Sequence, residues 1–243
     1  MPPARAWLSW SSGKDSAFAL HTVHRDETVE AVGLLTTLNH DADRVAMHAV
    51  RRELVEAQAE RLGLPLHPVE IPSPCPNAVY EERMAGALAA AVADGVDRVV
   101  FGDLFLADVR AYRERALADS GIAPSFPLWG RSTDELALEM IHAGVRAVLT
   151  CVDPAQLPAE FVGRAFDRDL LADLPDGVDP CGERGEFHTF VWDGPGLASP
   201  IGIAIGEVVE RDGFVFCDVL PRRQLRPGRT ARRVAGGAPR QRE

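Results

Sequence analysis

Along the first two-thirds of the chain, short apolar runs alternate with segments of helical period, and few folds accommodate that order. Residues 6–10, 30–37, 64–71, 98–101 and 146–151 read as strands. Residues 16–25, 48–62, 78–93, 107–119 and 136–143 read as helices. In the second helix Val50, Leu54, Val55, Ala59 and Leu62 form one stripe, and Gly63 ends it. Consecutive parallel strands need a crossover, and a helix is the usual one. The prediction is an α/β fold: a five-stranded parallel sheet with flanking helices. The pattern changes after Asp153. One helix is expected over 161–171, and then strands at 187–192, 201–210 and 214–219, with Arg211-Asp212-Gly213 as a hairpin turn. This predicts a smaller C-terminal α+β domain. The expected division is 1–155 for the parallel sheet, 156–221 for the second domain, and 222–243 for a disordered basic tail.

Composition narrows the classes further. With 46% hydrophobic and 26% charged residues, the 243-residue chain has the balance of a globular protein. No apolar run approaches the roughly 18 residues of a membrane helix, and the few apolar residues before Ser11 fall short of the core a secretory signal needs, so none is expected. Cys75, Cys151, Cys181 and Cys217 are far apart and form no C-x-x-C pair, against a zinc ribbon, an iron–sulfur cluster or a disulfide framework. A cytoplasmic protein with reduced thiols is expected. Residues 222–243 carry eight arginines against one acid, so the rest of the chain is strongly acidic within a net charge of −10. An acidic body makes a nucleic-acid partner an unfavoured expectation. Of the 26 basic residues only Lys14 is a lysine. A site that keeps a compact ammonium amid arginines is one that needs it.

Lys14 lies in Ser11-Ser12-Gly13-Lys14-Asp15-Ser16, between the first strand and the first helix. Open parallel sheets bind ligands at such strand ends. Free N–H groups at a helix N-terminus attract anions, Gly13 permits close approach, and the serines and Lys14 add donors. Asp15 would repel a phosphate, so it is expected to face a metal ion or to tie the loop to itself. A Ser-rich helix cap is the plainer alternative. A Walker A loop is ruled out: Leu8 stands where its first Gly belongs, and Asp15 follows Lys14.

A second dense segment runs from Asp179 to Val191, D-P-C-G-E-R-G-E-F-H-T-F-V. On a strand, Glu186, His188 and Phe190 would share a face, with Glu183 just before it between Gly182 and Gly185. Two carboxylates and an imidazole so close can orient an amine, bind a metal or move protons. A polar strand face with turn glycines is the alternative.

The first loop resembles the PP-loop of ATP pyrophosphatases, S-G-G-x-D-S, with Ser12 in place of the first Gly. Together the two segments resemble the diphthine–ammonia ligase family of PP-loop (adenine nucleotide α-hydrolase-like) enzymes. The likeness runs over residues 6–220 and takes in Met47-His48, Phe101-Gly102-Asp103, Tyr112-Arg113, Pro127-Leu128-Trp129 and the L-T-C-V-D segment ending at Asp153. It implies ATP-dependent amidation: a carboxylate acceptor is adenylated, pyrophosphate leaves, and ammonia displaces AMP. ATP and Mg²⁺ are the implied cofactors. Ser11, Ser12, Gly13, Lys14, Asp15 and Ser16 would hold the phosphates. Leu34, Leu35, Thr36 and Gly102 would line the nucleotide. Asp15 and Asp103 would hold the metal, and Lys14, Glu183, Glu186 and His188 would act on the substrates. The family's ligases usually carry E-G-G-E-F/Y-E-T/S, where this chain has Arg184 and His188. That departure leaves the acceptor open. No cysteine sits in a G-x-C-x-G elbow, so ammonia is expected free or from a partner protein. A homodimer is compatible with this reading. The alternatives are a PP-loop tRNA-modifying enzyme and a non-catalytic ATP- or AMP-binding regulator.

Overall fold

The computed structural model describes residues 2–45 and 48–222. The tail from 223 and the Met47 of the family likeness lie outside the described residues. The first sheet is built from β1 (Ala4–Ser9), β2 (Val29–Asn39), β3 (Arg44–Val45), β4 (Leu66–Ile71), β5 (Arg98–Val100) and β6 (Ala123–Ser125). Five of these run parallel in the order β4-β2-β1-β5-β6, and the two-residue β3 hooks antiparallel onto β2. Helices α1 (Lys14–Val23), α2 (Arg52–Leu62), α3 (Asn77–Ala93) and α4 (Ala107–Leu117) make the crossovers.

Strand alternation sorts the apolar side chains onto two faces. Ala6 and Leu8 of β1, with Leu34 and Leu38 of β2, meet α1 and α2 in one core. Trp7 and Leu35, on the opposite face, pack with Leu88 and Ala91 of α3 and Leu117 of α4 in the other. The chain order turns back at β1: β2 and β4 lie on one side, β5 and β6 on the other. The crevice at the carboxyl ends of β1 and β5 is therefore the topological switch point where such sheets bind ligands.

The fifth parallel strand is not the one expected. Residues 146–151 do form a strand, β7 (Arg146–Val152), but it belongs to a second sheet with β8 (Phe187–Asp193), β9 (Ile203–Arg211) and β10 (Phe214–Pro221). That sheet has the order β8-β7-β10-β9 and is antiparallel throughout. The fifth parallel place goes to β6, three residues around Pro124. Its Pro and neighbouring Gly121 disguise it, and proline is tolerated there because β6 is an edge. The expected division at 155 falls between β7 and β8, which are hydrogen-bonded neighbours.

Two other expectations shift. The helix predicted from residue 48 begins at Arg52, after a turn in which Ala49 has φ 55°. The helix expected over 161–171 is a 3₁₀ turn, Ala159–Phe161, followed by α6 (Arg168–Asp173). The Asp212-Gly213 hairpin has positive φ at both residues, 53° and 82°, the signature of the turn type that suits twisted strands. Between β6 and β7 lies α5 (Thr133–His142), whose Leu136, Ala137 and Met140 join the core shared by α1, β7 and β8. Among the described residues no helix is long and apolar enough to cross a membrane.

Candidate active site

The loop between β1 and α1 is held from three directions. Ser12 has φ 71°, a left-handed conformation that favours glycine. This is the place where the PP-loop pattern carries its first Gly. The Ser12 carbonyl accepts hydrogen bonds from Val191 N of β8 (3.0 Å) and from Gln58 Nε2 of α2 (3.0 Å). Gln58 is fully buried, and its Oε1 accepts from Trp10 Nε1 at 2.8 Å. Gly13 packs closely: a Cβ there would lie 3.1 Å from the Thr189 carbonyl oxygen, so the neighbouring strand would have to give. The Lys14 amide donates to Thr189 Oγ1 (3.1 Å), and Ser11 Oγ accepts from the Gly13 amide (3.3 Å). Ser16 Oγ lies 3.2 Å from Ser11 Oγ and donates to the Gly13 carbonyl at 3.0 Å. The second sheet thus braces the loop that sequence placed on the first.

Lys14 is 2% exposed. Its ammonium donates to both Asp15 carboxylate oxygens, at 3.0 and 2.9 Å, and to the Cys181 carbonyl. It also stands 5.5 and 5.3 Å from the ring centres of Phe166 and Phe187. Burial pulls its pKa down, but Asp15, Cys181 and Glu183 outweigh that and hold it above the ordinary lysine value. Burial raises the Asp15 carboxyl, against the pull of Lys14.

Gly102, just past β5, packs against the start of α1. A Cβ there would sit 2.9 Å from the Asp15 carbonyl carbon and 3.0 Å from Ser16 N, so no larger residue fits. This brings Asp103 near Asp15 of the loop. Asp103 Oδ2 is buried without a hydrogen bond, 3.7 Å from an equally unpartnered Arg113 Nε. Burial raises the Asp103 pKa, Arg113 opposes it, and Asp15 adds to it. Among the described residues no group of three His, Cys, Asp or Glu side chains converges as a closed metal centre would. Two carboxylates with one orphaned oxygen do fit Mg²⁺, which is commonly held by one or two carboxylates together with substrate phosphates.

Glu183 joins the same cluster. Its Oε1 accepts from the Leu104 amide (2.7 Å) and more weakly from the Phe105 amide (3.4 Å). Burial raises its pKa to about 7; the Leu104 amide lowers it, while Asp15 and Asp103 push it further up. A carboxylate poised there can take up or release a proton at neutral pH.

Glu186 does not share this place. It is 1% exposed, with Oε1 accepting from the Asp179 amide (2.9 Å) and Oε2 from the Arg184 amide (2.9 Å). Each oxygen accepts one amide of its own loop, an arrangement that suits a structural staple. The His188 ring packs on that of His48, centroids 4.4 Å apart.

A cavity of about 1120 Å³ opens at the carboxyl ends of β1, β2, β4 and β5. Ser9, Trp10 and Ser11 form one wall, Leu35, Thr37 and His48 a second, and α3 and α4 a third through Tyr80, Met84, Tyr112 and Arg113. Of the three β2 residues expected at the nucleotide, only Leu35 lines it. Leu34 points into the opposite core, and Thr36 is buried with its Oγ1 unpartnered. Thr37, two residues on from Leu35 and on its face, takes the place expected of Thr36.

Three residues at the loop and the cavity went unread. Thr189 lay inside the motif but without a role. His48 carries no local signal beyond its family likeness. Gln58 does carry one: it is a polar residue four positions after Leu54, on the buried stripe of α2.

The switch-point crevice, the Ser-Gly-Lys-Asp loop and the cavity beside it define a nucleotide-binding protein of the PP-loop class. Residues 4–124 match the diphthamide synthase N-terminal domain and residues 132–218 the diphthamide synthase C-terminal domain, and the chain belongs to that family. It is similar to the diphthine–ammonia ligase of Danio rerio, 29% identical over 229 residues, which span 86% of this chain and 90% of that protein. The diphthine–ammonia ligase of Bos taurus is 24% identical over 230 residues, 86% of each chain. That of Schizosaccharomyces pombe is 26% identical over 225 residues, 85% of this chain and 37% of that longer protein.

Proposed function

We propose that the chain is an ATP-dependent, AMP-forming amide ligase. A carboxylate oxygen of the acceptor attacks the α-phosphorus of ATP, the α–β phosphoanhydride bond breaks, and pyrophosphate leaves. Ammonia then attacks the acyl carbon, AMP leaves with the electron pair of the broken C–O bond, and one proton is lost from nitrogen. The observation that carries this reading is the meeting of Lys14, Asp15, Asp103 and Glu183 around the loop after β1, whose Ser11 lines the cavity. Ser11 and the start of α1 favour the phosphates there. Lys14 supplies the positive charge for the departing pyrophosphate. Asp15 and Asp103 would hold Mg²⁺, which when bound neutralises phosphate charge. Glu183, near its midpoint at neutral pH, takes the proton from ammonium or from the attacking nitrogen. The family name makes a diphthine-type carboxylate the first acceptor to try, with Arg184 and His188 marking where this chain departs.

Buried thiols support this reading over tRNA thiolation. Burial pushes Cys151 up to about 12 and raises Cys181 and Cys217, so these three are poor nucleophiles. The test is incorporation of ¹⁵N from ammonium into a carboxylate acceptor, read by mass spectrometry across diphthine-bearing and small-molecule carboxylates. Label in one product, dependent on ATP and lost in Lys14→Ala, supports the ligase. ATP hydrolysis without labelled amide from any acceptor counts against it.

A further inference from the structure

The sheet edges of this fold are not treated alike. In the first sheet the edge strands β4 and β6 carry Pro68 and Pro124, which cannot donate to a further strand. In the second sheet the β8 edge is covered: Val191 N donates to the Ser12 carbonyl, and the Val191 carbonyl accepts from Gln58 Nε2 at 2.6 Å. The opposite edge is β9, which contains neither proline nor lysine. Among the described residues no strand pairs with its outer side. It exposes Ile205, Val208 and Val209, at 49%, 56% and 46%. A long apolar edge in a native sheet is a template for another strand.

The hairpin to β10 fixes which backbone groups of β9 face outward. Asp212-Gly213 is a two-residue turn, so Arg211 and Phe214 form the hydrogen-bonded pair that closes it. Hydrogen-bonded and non-hydrogen-bonded pairs alternate along an antiparallel ladder. Val209 therefore bonds to Phe216 of β10, while Val208 and Glu210 turn their N–H and C=O groups outward. The register shift opposite Asp218 falls at Gly206-Glu207 and leaves 208–211 regular.

The side chains select what can pair with these groups. A two-fold axis at Val209 sets β9 antiparallel to a second β9. Val208 of each copy then meets Glu210 of the other, and each pair exchanges both backbone hydrogen bonds. Val209 faces Val209 on the axis, and Glu207 of each copy faces Arg211 of the other, so the charges match. An axis at Glu210 would oppose two carboxylates, and one at Val208 would set Glu210 against Gly206 in the irregular stretch. Half-buried Phe214 and Phe216 extend the apolar patch beside Val209, with the Arg211 guanidinium 5.0 Å from the Phe216 ring centre. The tail from residue 223 is a poorer match, being rich in arginine, with Leu225 and Val234 as its large apolar residues and Pro227 and Pro239 among them.

We infer that the outer edge of β9 is a homodimer interface: a second copy of this chain adds its own β9 antiparallel, about a two-fold axis at Val209, and the second sheets of both protomers become one continuous sheet. β9 is the edge opposite β8, the strand that braces the loop after β1, so dimerisation does not depend on the ligase reading.

The experiment is analytical ultracentrifugation of the full chain over a concentration series, joined to amide hydrogen exchange along β9. Wild type should sediment at twice the chain mass, with the Val208 and Glu210 amides protected. Val209→Lys, which sets like charges face to face on the axis, should be a folded monomer with those two amides in fast exchange. Glu207→Arg and Arg211→Glu should each weaken the dimer about tenfold, because each turns the cross-strand attraction into repulsion on both sides of the axis. The double exchange Glu207→Arg with Arg211→Glu should restore wild-type association, and this arm stands even if Val209→Lys fails to fold. A wild type that stays monomeric with both amides exchanging freely overturns the inference. A monomer in which they are protected also overturns it and makes the tail the occupant. A dimer that survives Val209→Lys puts the interface elsewhere, and single reversals without effect, or a double exchange that restores nothing, refute the pairing at Val209.

Discussion

Single residues separate what the PP-loop pattern demands from what this chain does with it. Ser12 holds a backbone conformation that costs an L-residue about 1–2 kcal/mol, and its own hydroxyl is buried without a partner. Ser12→Gly should therefore stabilise the fold by about 1 kcal/mol, checked by urea denaturation. A destabilised variant would mean that the hydroxyl has a partner in solution. Glu183 makes a pH prediction. Its folded pKa, about 7, lies above the ordinary carboxylate value. Folding thus favours its protonated form, so its contribution to stability is full below the unfolded pKa and fades as pH rises through 7. Activity runs the other way, because a base must be ionised: amide formation should climb through a limb near pH 7. Glu183→Gln should abolish that limb and cut the rate, with Mg–ATP still bound. A limb that survives the substitution would remove Glu183 from proton transfer.

At the scale of elements, the second motif is braced from within. Glu186 is a staple that satisfies two amides of residues 179–184. Glu186→Ala should cost about 1–3 kcal/mol of stability, the usual penalty for stranding buried donors, read as a lowered urea midpoint. An unchanged midpoint would show the staple to be dispensable. The loop–helix start at residues 11–16, the β1, β2, β4 and β5 strands and the β9–β10 hairpin were legible because apolar period, glycine and turn chemistry act locally. The sheet membership of β7 was not: its burial on both faces suits either sheet, and only pairing with β8 and β10 decides. The Glu186 role was hidden for a similar reason, since a carboxylate that accepts amides from its own loop reads in sequence like a carboxylate aimed at substrate. Leu34 against Leu35 was a matter of strand phase, which a run of apolar residues buried on both faces does not reveal.

Across the whole molecule, the two sheets meet at the loop after β1. Val191 N bonds the Ser12 carbonyl, Thr189 bonds the Lys14 amide, and the Cys181 carbonyl takes the Lys14 ammonium. Farther out, Asp218 of β10 accepts from Arg44 of β3 (2.9 Å) and bidentately from Arg51 at the start of α2 (3.0 and 2.6 Å). These groups are partly exposed, so the clamp is worth on the order of 1 kcal/mol. Asp218→Ala should lower the melting temperature by about 2–4 °C and weaken Mg–ATP binding; a variant with unaltered affinity would place the clamp outside the nucleotide site. The account's central claim is that this two-sheet site cleaves ATP between its α- and β-phosphates to activate a carboxylate. Phosphorus NMR of ATP consumed by the full chain with Mg²⁺, ammonium and the acceptor that takes up ¹⁵N tests it most directly. The account predicts AMP and pyrophosphate in equal amounts, matched by amide formed and lost in Lys14→Ala. ADP and orthophosphate as the products would contradict it.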